Sequence, residues 1–346
     1  VIMGRPGYEV LGGSITLDNT EGQFNILTGS YALDGRDHEI RLGAKGVPYA
    51  NWYPVFRGTA RSFHVSERDL SVQLADYGHK LDLPLQPNEY AGTGGKEGGD
   101  DLIGKRKPRA LGYNYNVSPT LVDGTRLILQ ASDGPCQSIT AYVNGLPLTL
   151  GSTPDYANYA ALEAASGSTE AGKFYTCLAE GFYMMHSLGD NEVPTADVEG
   201  ENSGSFAATV PDIVRRMAAT LLGDDEIYDP GFAVYAAGAA YEAGYYADHN
   251  SSVTVREAIA EMLGAGSFAY FTRMGKLSIA RLVRPTGAPI ARLDDTTVIS
   301  AQRLPLPDSL SIPPHQWRVA YGRNNTPMTG NVAGGVSAAR RAWLAE

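Results

Sequence analysis

Residue types that do chemistry are present in this chain, but their spacings fit no catalytic or metal-binding pattern. The six histidines, His38, His64, His79, His186, His249 and His315, never fall at i, i+4 or inside a HExxH run, the spacing that aims two imidazoles at one zinc ion. Cys136 and Cys177 form no CxxC pair. They are read as two buried free thiols, with a disulfide between them as the alternative. Gly99 to Arg106 matches GxxxxGK, yet Arg106 stands where a magnesium-binding hydroxyl is required. No apolar strand precedes it, and Asp100 and Asp101 occupy positions where phosphate oxygens need backbone donors. The acidic runs Asp100-Asp101, Asp224-Asp225-Glu226 and Asp294-Asp295 are sequence neighbours. Glycosidases instead use two carboxylates from different elements, about 5 to 10 Å apart. A nucleophile elbow and a calcium loop are both missing. The expectation is therefore no catalytic residue, no metal ligand and no cofactor, in a chain that is not an enzyme.

Composition narrows the remaining classes. The chain has 346 residues, 28 basic and 38 acidic, with a net charge of −10. Duplex DNA and anionic lipid would repel such a surface, so no sequence-specific nucleic-acid binding is expected. Only 19% of residues are charged, while glycine reaches 40 and tyrosine 20. Glycine supplies turns and tyrosine suits strands, so many short strands are expected. The tyrosine excess fits either a large β core or an assembly surface. Val1 to Arg5 lacks a signal-peptide profile. The weakly polar stretch Phe232 to His249 contains Glu242 and Asp248 and is broken by Gly238 and Gly244, which argues against a membrane span. The start at Val1 and an end inside a helix opening near Ser337 predict a piece of a longer polypeptide.

Positioning elements follow from local patterns. Val55 to Val65, the turn Ser66 to Asp69 and the alternating Leu70 to Leu74 predict a β-hairpin. Asn88 to Asp101 is Gly-rich and leads into Lys105-Arg106-Lys107-Pro108; it predicts a long clasp with no apolar face. Thr125 to Ala131 and Ser138 to Val143 read as strands, and Asn144-Gly145 predicts a type I′ turn into Leu146 to Leu150. Gly151 to Thr169 is expected to be irregular or weakly helical, Phe174 to Met185 strand, and Gly189 to Gly204 acidic turns. Two helices are expected. One is capped by Thr209, with Pro211 in its first turn and Gly223 closing it. The other is capped by Thr254 with Glu257 completing a capping box. Ser267 to Thr272 and Lys276 to Leu282 form a further hairpin. Leu304 to Pro314 is Pro-rich, and Gln316 to Tyr321 is an expected strand.

Together these elements resemble tail proteins of long-tailed, siphovirus-like phages of proteobacteria. The resemblance lies in the run FRGTARSFHVSERDLSVQLADYGHKLDLPLQ, Phe56 to Gln86, followed by Tyr90-Ala91-Gly92, Glu97-Gly98, Leu102, Gly104-Lys105, Lys107-Pro108 and Ala110-Leu111-Gly112. It continues through Asn116 to Gly134, the phrase TADV at Thr195 to Val198 with Gly200, Thr254 to Leu282, and WRVAYGRN at Trp317 to Asn324.

The resemblance implies a tail-tip or baseplate hub protein, the base of the central fibre. The fold expected is mainly β with an α+β insertion: small β-barrel-like hub domains plus a two-helix α+β unit. The expected division is a first hub domain at 1–85, a Gly-rich clasp at 86–112, a second β-rich region at 113–205, the α+β unit at 206–300, and a return strand with the start of a helix at 301–346. Expected partners are further copies of the chain, closing a trimer, together with tail tube, distal tail and fibre proteins and the tape measure protein. The expected location is the virion, after assembly in the host cytoplasm. The clasp, Asn88 to Pro108, is expected to reach a neighbouring subunit, so that its deletion blocks assembly and leaves the domain folded. Two other classes stand behind the hub. One is a receptor-binding protein that stacks Trp52 and Trp317 on a surface glycan or binds a pilus. The other is a tail-associated cell-wall or capsule hydrolase.

Overall fold

The computed structural model describes residues 7–9, 12–27, 31–32, 35–283, 294, 298, 300 and 321–346. The Pro-rich segment Leu304 to Pro314, the expected strand from Gln316, His315 and Trp317 lie outside the described residues. The chain is mainly β, with 35% strand and 22% helix, and it includes a sheet curled into a half-barrel.

Strand β1 is Gly7–Glu9, followed by β2 (Gly12–Asp18), β3 (Asp37–Leu42), β4 (Tyr53–Val65) and β5 (Asp69–Ala75). The last four form one sheet in the order β2-β5-β4-β3. The expected hairpin is β4 and β5, closed at Ser66, whose Oγ accepts from the backbone N–H of Arg68 and Asp69. Alternation along β5 buries Leu70, Val72 and Leu74 and leaves Gln73 outside, so one face of the sheet builds a small core with Ala60, Ile15, Phe56 and Phe63. Register shifts interrupt β4 between Ala60 and Ser62 and β3 between Ile40 and Arg41; such bulges bend a strand and increase its twist.

The middle of the chain folds as a β-sandwich. It runs β6 (Arg109–Val117), β7 (Thr120–Asp123), β8 (Ile128–Gln130), β9 (Cys136–Val143), β10 (Leu146–Pro147), β11 (Thr149–Asp155), helix α1 (Tyr159–Ala164), β12 (Lys173–Cys177), β13 (Phe182–Met185) and β14 (Pro194–Gly200). Asn144 and Gly145, with φ of 50° and 80°, form the expected turn between β9 and β10, a conformation in which glycine carries no Cβ penalty. Both faces of β12 and β13 are covered, and the period-2 alternation sorts their side chains. Phe174, Tyr183 and Met185 face Ile139, Ala196 and Val198 across the sandwich. Tyr175, Cys177, Phe182 and Met184 face Tyr90, Leu102 and Leu162 on the other side. Each such fully buried side chain contributes about 1.5–3 kcal/mol.

The third unit contains α2 (Val210–Ala218), α3 (Asp229–Ala239), β15 (Gly244–Ala247), α4 (Val255–Leu263), β16 (Ser267–Phe271) and β17 (Leu277–Arg281); a last helix, α5, is Ala338–Leu344. Helix α4 has the expected capping box: Thr254 Oγ1 accepts from the Glu257 N–H at 3.2 Å, and Glu257 Oε2 accepts from the Thr254 N–H at 2.9 Å. Thr254→Ala is expected to lower the unfolding free energy by about 1 kcal/mol, read from denaturant titration. Helix α5 opens where expected, near Ser337, whose Oγ accepts from Arg340 N–H and caps it.

Several expectations are corrected here. The α+β unit has three helices rather than two, because α3 occupies the alanine- and tyrosine-rich stretch, where apolar residues surround the helix and leave no stripe to read. Helix α2 ends at Ala218, before Gly223. The acidic segment expected to be turns contains β14, which sits between β9 and β6; its Asp197 is satisfied by Asn116 N–H and Tyr142 Oη–H. Gly151 to Thr169, expected to be irregular or weakly helical, holds the end of β11 and the short helix α1, in line with the helical half of that expectation. Pairings and packing also cross the expected limits at 85, 112 and 205. β1 pairs with β16 in parallel, β15 extends the sandwich by pairing with β6, and Leu81, Leu85 and Leu111 belong to the helical core with Ile213, Met217 and Ile259.

Candidate assembly surface

The sequence-nominated groups stay apart. Gly99 to Arg106 holds a short 3-10 turn at Asp100–Leu102, not the strand-loop-helix a phosphate cradle requires. Asp224 pairs with Arg215, and Glu226 pairs with Lys80, so this acidic run serves ion pairs between elements. Among the described residues, no three His, Cys, Asp or Glu side chains converge in a geometry that could hold a metal ion. No helix among them is long and apolar enough to cross a membrane.

Cys136 and Cys177 are both buried and unpaired, the two free thiols expected from the sequence. Burial pushes the Cys136 thiol up to about 12 and the Cys177 thiol up to about 11, against an ordinary value of 9.0. The neutral thiol is thus favoured by folding. This contribution is fully present below pH 9 and is lost as pH rises through 11 to 12. At pH 8, a thiol-specific reagent is expected to label neither cysteine in the native protein and both in denaturant.

The Gly-rich segment does not form a free arm. Tyr90 and Leu102 are 2% and 3% exposed and lie against Val122, Ile128 and Tyr159 in the core beneath the sandwich. Tyr90 Oη donates to Gln130 Oε1 at 2.5 Å. Backbone bonds from Tyr90 N–H to Lys105 O and from Lys107 N–H to Asn88 O zip the two limbs together. The expectation of a clasp with no apolar face is corrected: two apolar anchors twelve positions apart escape any periodicity test, yet they fix the loop to its own chain.

Exposed apolar side chains concentrate instead on the first sheet. Strands β3 and β4 are joined through a rigid tip, Gly43 to Trp52. Trp52 Nε1 donates to Val47 O at 2.8 Å, its ring lies 5.5 Å from that of Tyr49, and Arg41 sits over the Tyr49 ring at 5.3 Å. Gly43 is required here, since a Cβ would meet the Trp52 ring at 2.3 Å. The tip presents Leu42 at 70% exposure, Tyr49 at 61% and Tyr53 at 59%, and Leu42 and Tyr53 are directly opposed across the ladder.

At the far edge of the same sheet lies β2. It pairs with β5 only, among the described residues, and its sequence GGSITLD has no lysine or proline to blunt the open edge. Leu17 and Ile26 are exposed beside it. Asn19 holds the following turn in place: it is fully buried, its Nδ2 donates to Ser66 O at 2.8 Å, and its Oδ1 accepts from Phe24 N–H. β3, by contrast, is a charged edge, with Glu39 paired to Arg41 and Arg57.

No protein-family model, curated protein or solved structure matches this chain. The surface is therefore interpreted through its geometry. It offers two dissimilar patches on separate parts of one sheet: an unguarded strand at one edge, and an apolar tip at the β3–β4 end, stiffened by hydrogen bonding and ring packing. Trp52, expected as a sugar-stacking residue, spends its indole N–H and one face inside the tip. Leu42, Tyr49 and Tyr53 escaped the sequence reading because each sits in a turn or at a strand end, where exposure has no periodic signature.

Proposed function

We propose that the chain is a structural component of a bacteriophage tail tip or baseplate, forming an oligomeric hub ring below the tail tube. The ring links the tube to the distal fibre and passes on the host-contact signal. The observation that carries this reading is the placement of β2 at one edge of the sheet and of the Leu42–Tyr49–Tyr53 tip at the β3–β4 end remote from it. A cyclic ring with more than two members needs such a heterologous pair of surfaces, one meeting the other around the axis. Strand addition at β2 supplies backbone hydrogen bonds, and the aromatic tip supplies the desolvated anchor that protein interfaces favour. The curled sheet fits a small hub domain that is completed by its neighbours.

The sequence resemblance to tail-tip proteins supports the same assignment, with three copies as the proposed number. Purified tails analysed by quantitative mass spectrometry are expected to contain the chain at a low copy number in a threefold ratio. Tails that assemble normally without it would overturn the proposal.

A further inference from the structure

Away from the first sheet, an aromatic cleft opens between the sandwich and the C-terminal segment. Its volume is about 850 Å³, within the roughly 300–1,000 Å³ typical of small-molecule sites. The C-terminal segment is latched to β6. Asn325 N–H and Nδ2 both donate to Tyr115 O, at 3.2 and 2.9 Å. Asn116 Nδ2 donates to Asn324 Oδ1 and Thr326 O, and Asn324 Nδ2 donates to Trp343 O and Leu344 O. Trp343 is fixed in turn, its Nε1 donating to Gly322 O at 3.0 Å while Arg340 stacks on its ring at 4.5 Å.

Tyr113, Tyr115, Tyr246 and Trp343 line this cleft together with Glu242 and Asn325. Tyr113 and Tyr115 are two apart on β6, so they share a face roughly 7 Å apart. Tyr113 is held edge-on against Phe206 at 5.1 Å. Tyr115 is 39% exposed. Neither its phenol nor the exposed Glu242 carboxylate has a hydrogen-bond or ion-pair partner among the described residues.

We propose that this cleft binds a neutral oligosaccharide. Preset aromatic faces match the apolar C–H faces of pyranose rings. The Glu242 carboxylate and Tyr115 phenol, without partners among the described residues, match sugar hydroxyls or N-acetyl groups, which need acceptors and donors at the ring edges. Glu242 and Glu346 disfavour anionic sugars, while the nearby Arg323 is engaged by Glu261 at 3.2 Å. The site is independent of the ring surfaces, and its occupation does not require assembly.

The test is titration calorimetry on the full chain with chitotetraose and maltotetraose, using a galacturonate tetramer and decaproline as controls. Saturable binding of at least one neutral tetrasaccharide is expected. It should weaken about tenfold in Tyr115→Ala and again in Glu242→Ala, with the thermal midpoint unchanged because both side chains are exposed. Three results would each overturn the proposal: saturable binding of neither neutral sugar, affinity unaltered in both variants, or binding confined to galacturonate or decaproline.

Discussion

Replacing Tyr90 with alanine is expected to lower the unfolding free energy by about 3–5 kcal/mol, the range for emptying a buried aromatic site. The ring fills the core between the Gly-rich segment and the sandwich, beside Ile128, Tyr159 and Met184. Tyr90→Phe keeps the ring but removes the donor to Gln130 Oε1, leaving a buried acceptor without its partner. That variant is expected to cost about 1–3 kcal/mol. Both values come from urea or guanidinium titration. Equal midpoints for wild type and Tyr90→Ala would mean that the segment is a detachable arm. The same reasoning reverses the deletion experiment: removing Asn88 to Pro108 strips Tyr90 and Leu102 from the core, so the isolated protein loses stability along with any assembly defect.

The double substitution Leu42→Glu, Tyr49→Glu is expected to abolish self-association while leaving the fold intact. Both side chains are more than half exposed, so the fold loses only the contacts of the Tyr49 ring with Trp52 and Arg41, about 1 kcal/mol. In a ring, however, they would be desolvated against a neighbour. Losing an anchor of this kind costs at least about 2 kcal/mol per interface, roughly thirtyfold in affinity, and each buried glutamate adds an unpaired charge. Sedimentation velocity reads the result directly: wild type as an oligomer and the variant as a folded monomer that still unfolds cooperatively. An unchanged oligomer would remove the tip from the interface.

Local rules made much of the fold legible. The hairpin at Ser66, the turn at Asn144-Gly145, the Thr254 capping box and the helix start near Ser337 each depend on residues a few positions apart, and all four occur where the sequence placed them. Elements whose stability comes from distant partners were not legible. β14 reads as acidic turns until β9 and β6 flank it, and α3 has no polar face to give it a period. Tyr90 and Leu102 look like isolated residues among glycines until the sandwich supplies their pocket. The sites were less legible still. Pairing of the β2 edge with β5 and the tip geometry around Trp52 depend on the sheet, and the Tyr115–Trp343 cleft joins residues more than two hundred positions apart.

The most direct test of the hub reading is cryo-electron microscopy of intact tails. The expected result is a ring of copies around the tail axis beneath the tube, with β2 of one copy against the Leu42–Tyr49–Tyr53 tip of the next. Density confined to peripheral fibres, or a central ring joined through other surfaces, would contradict it.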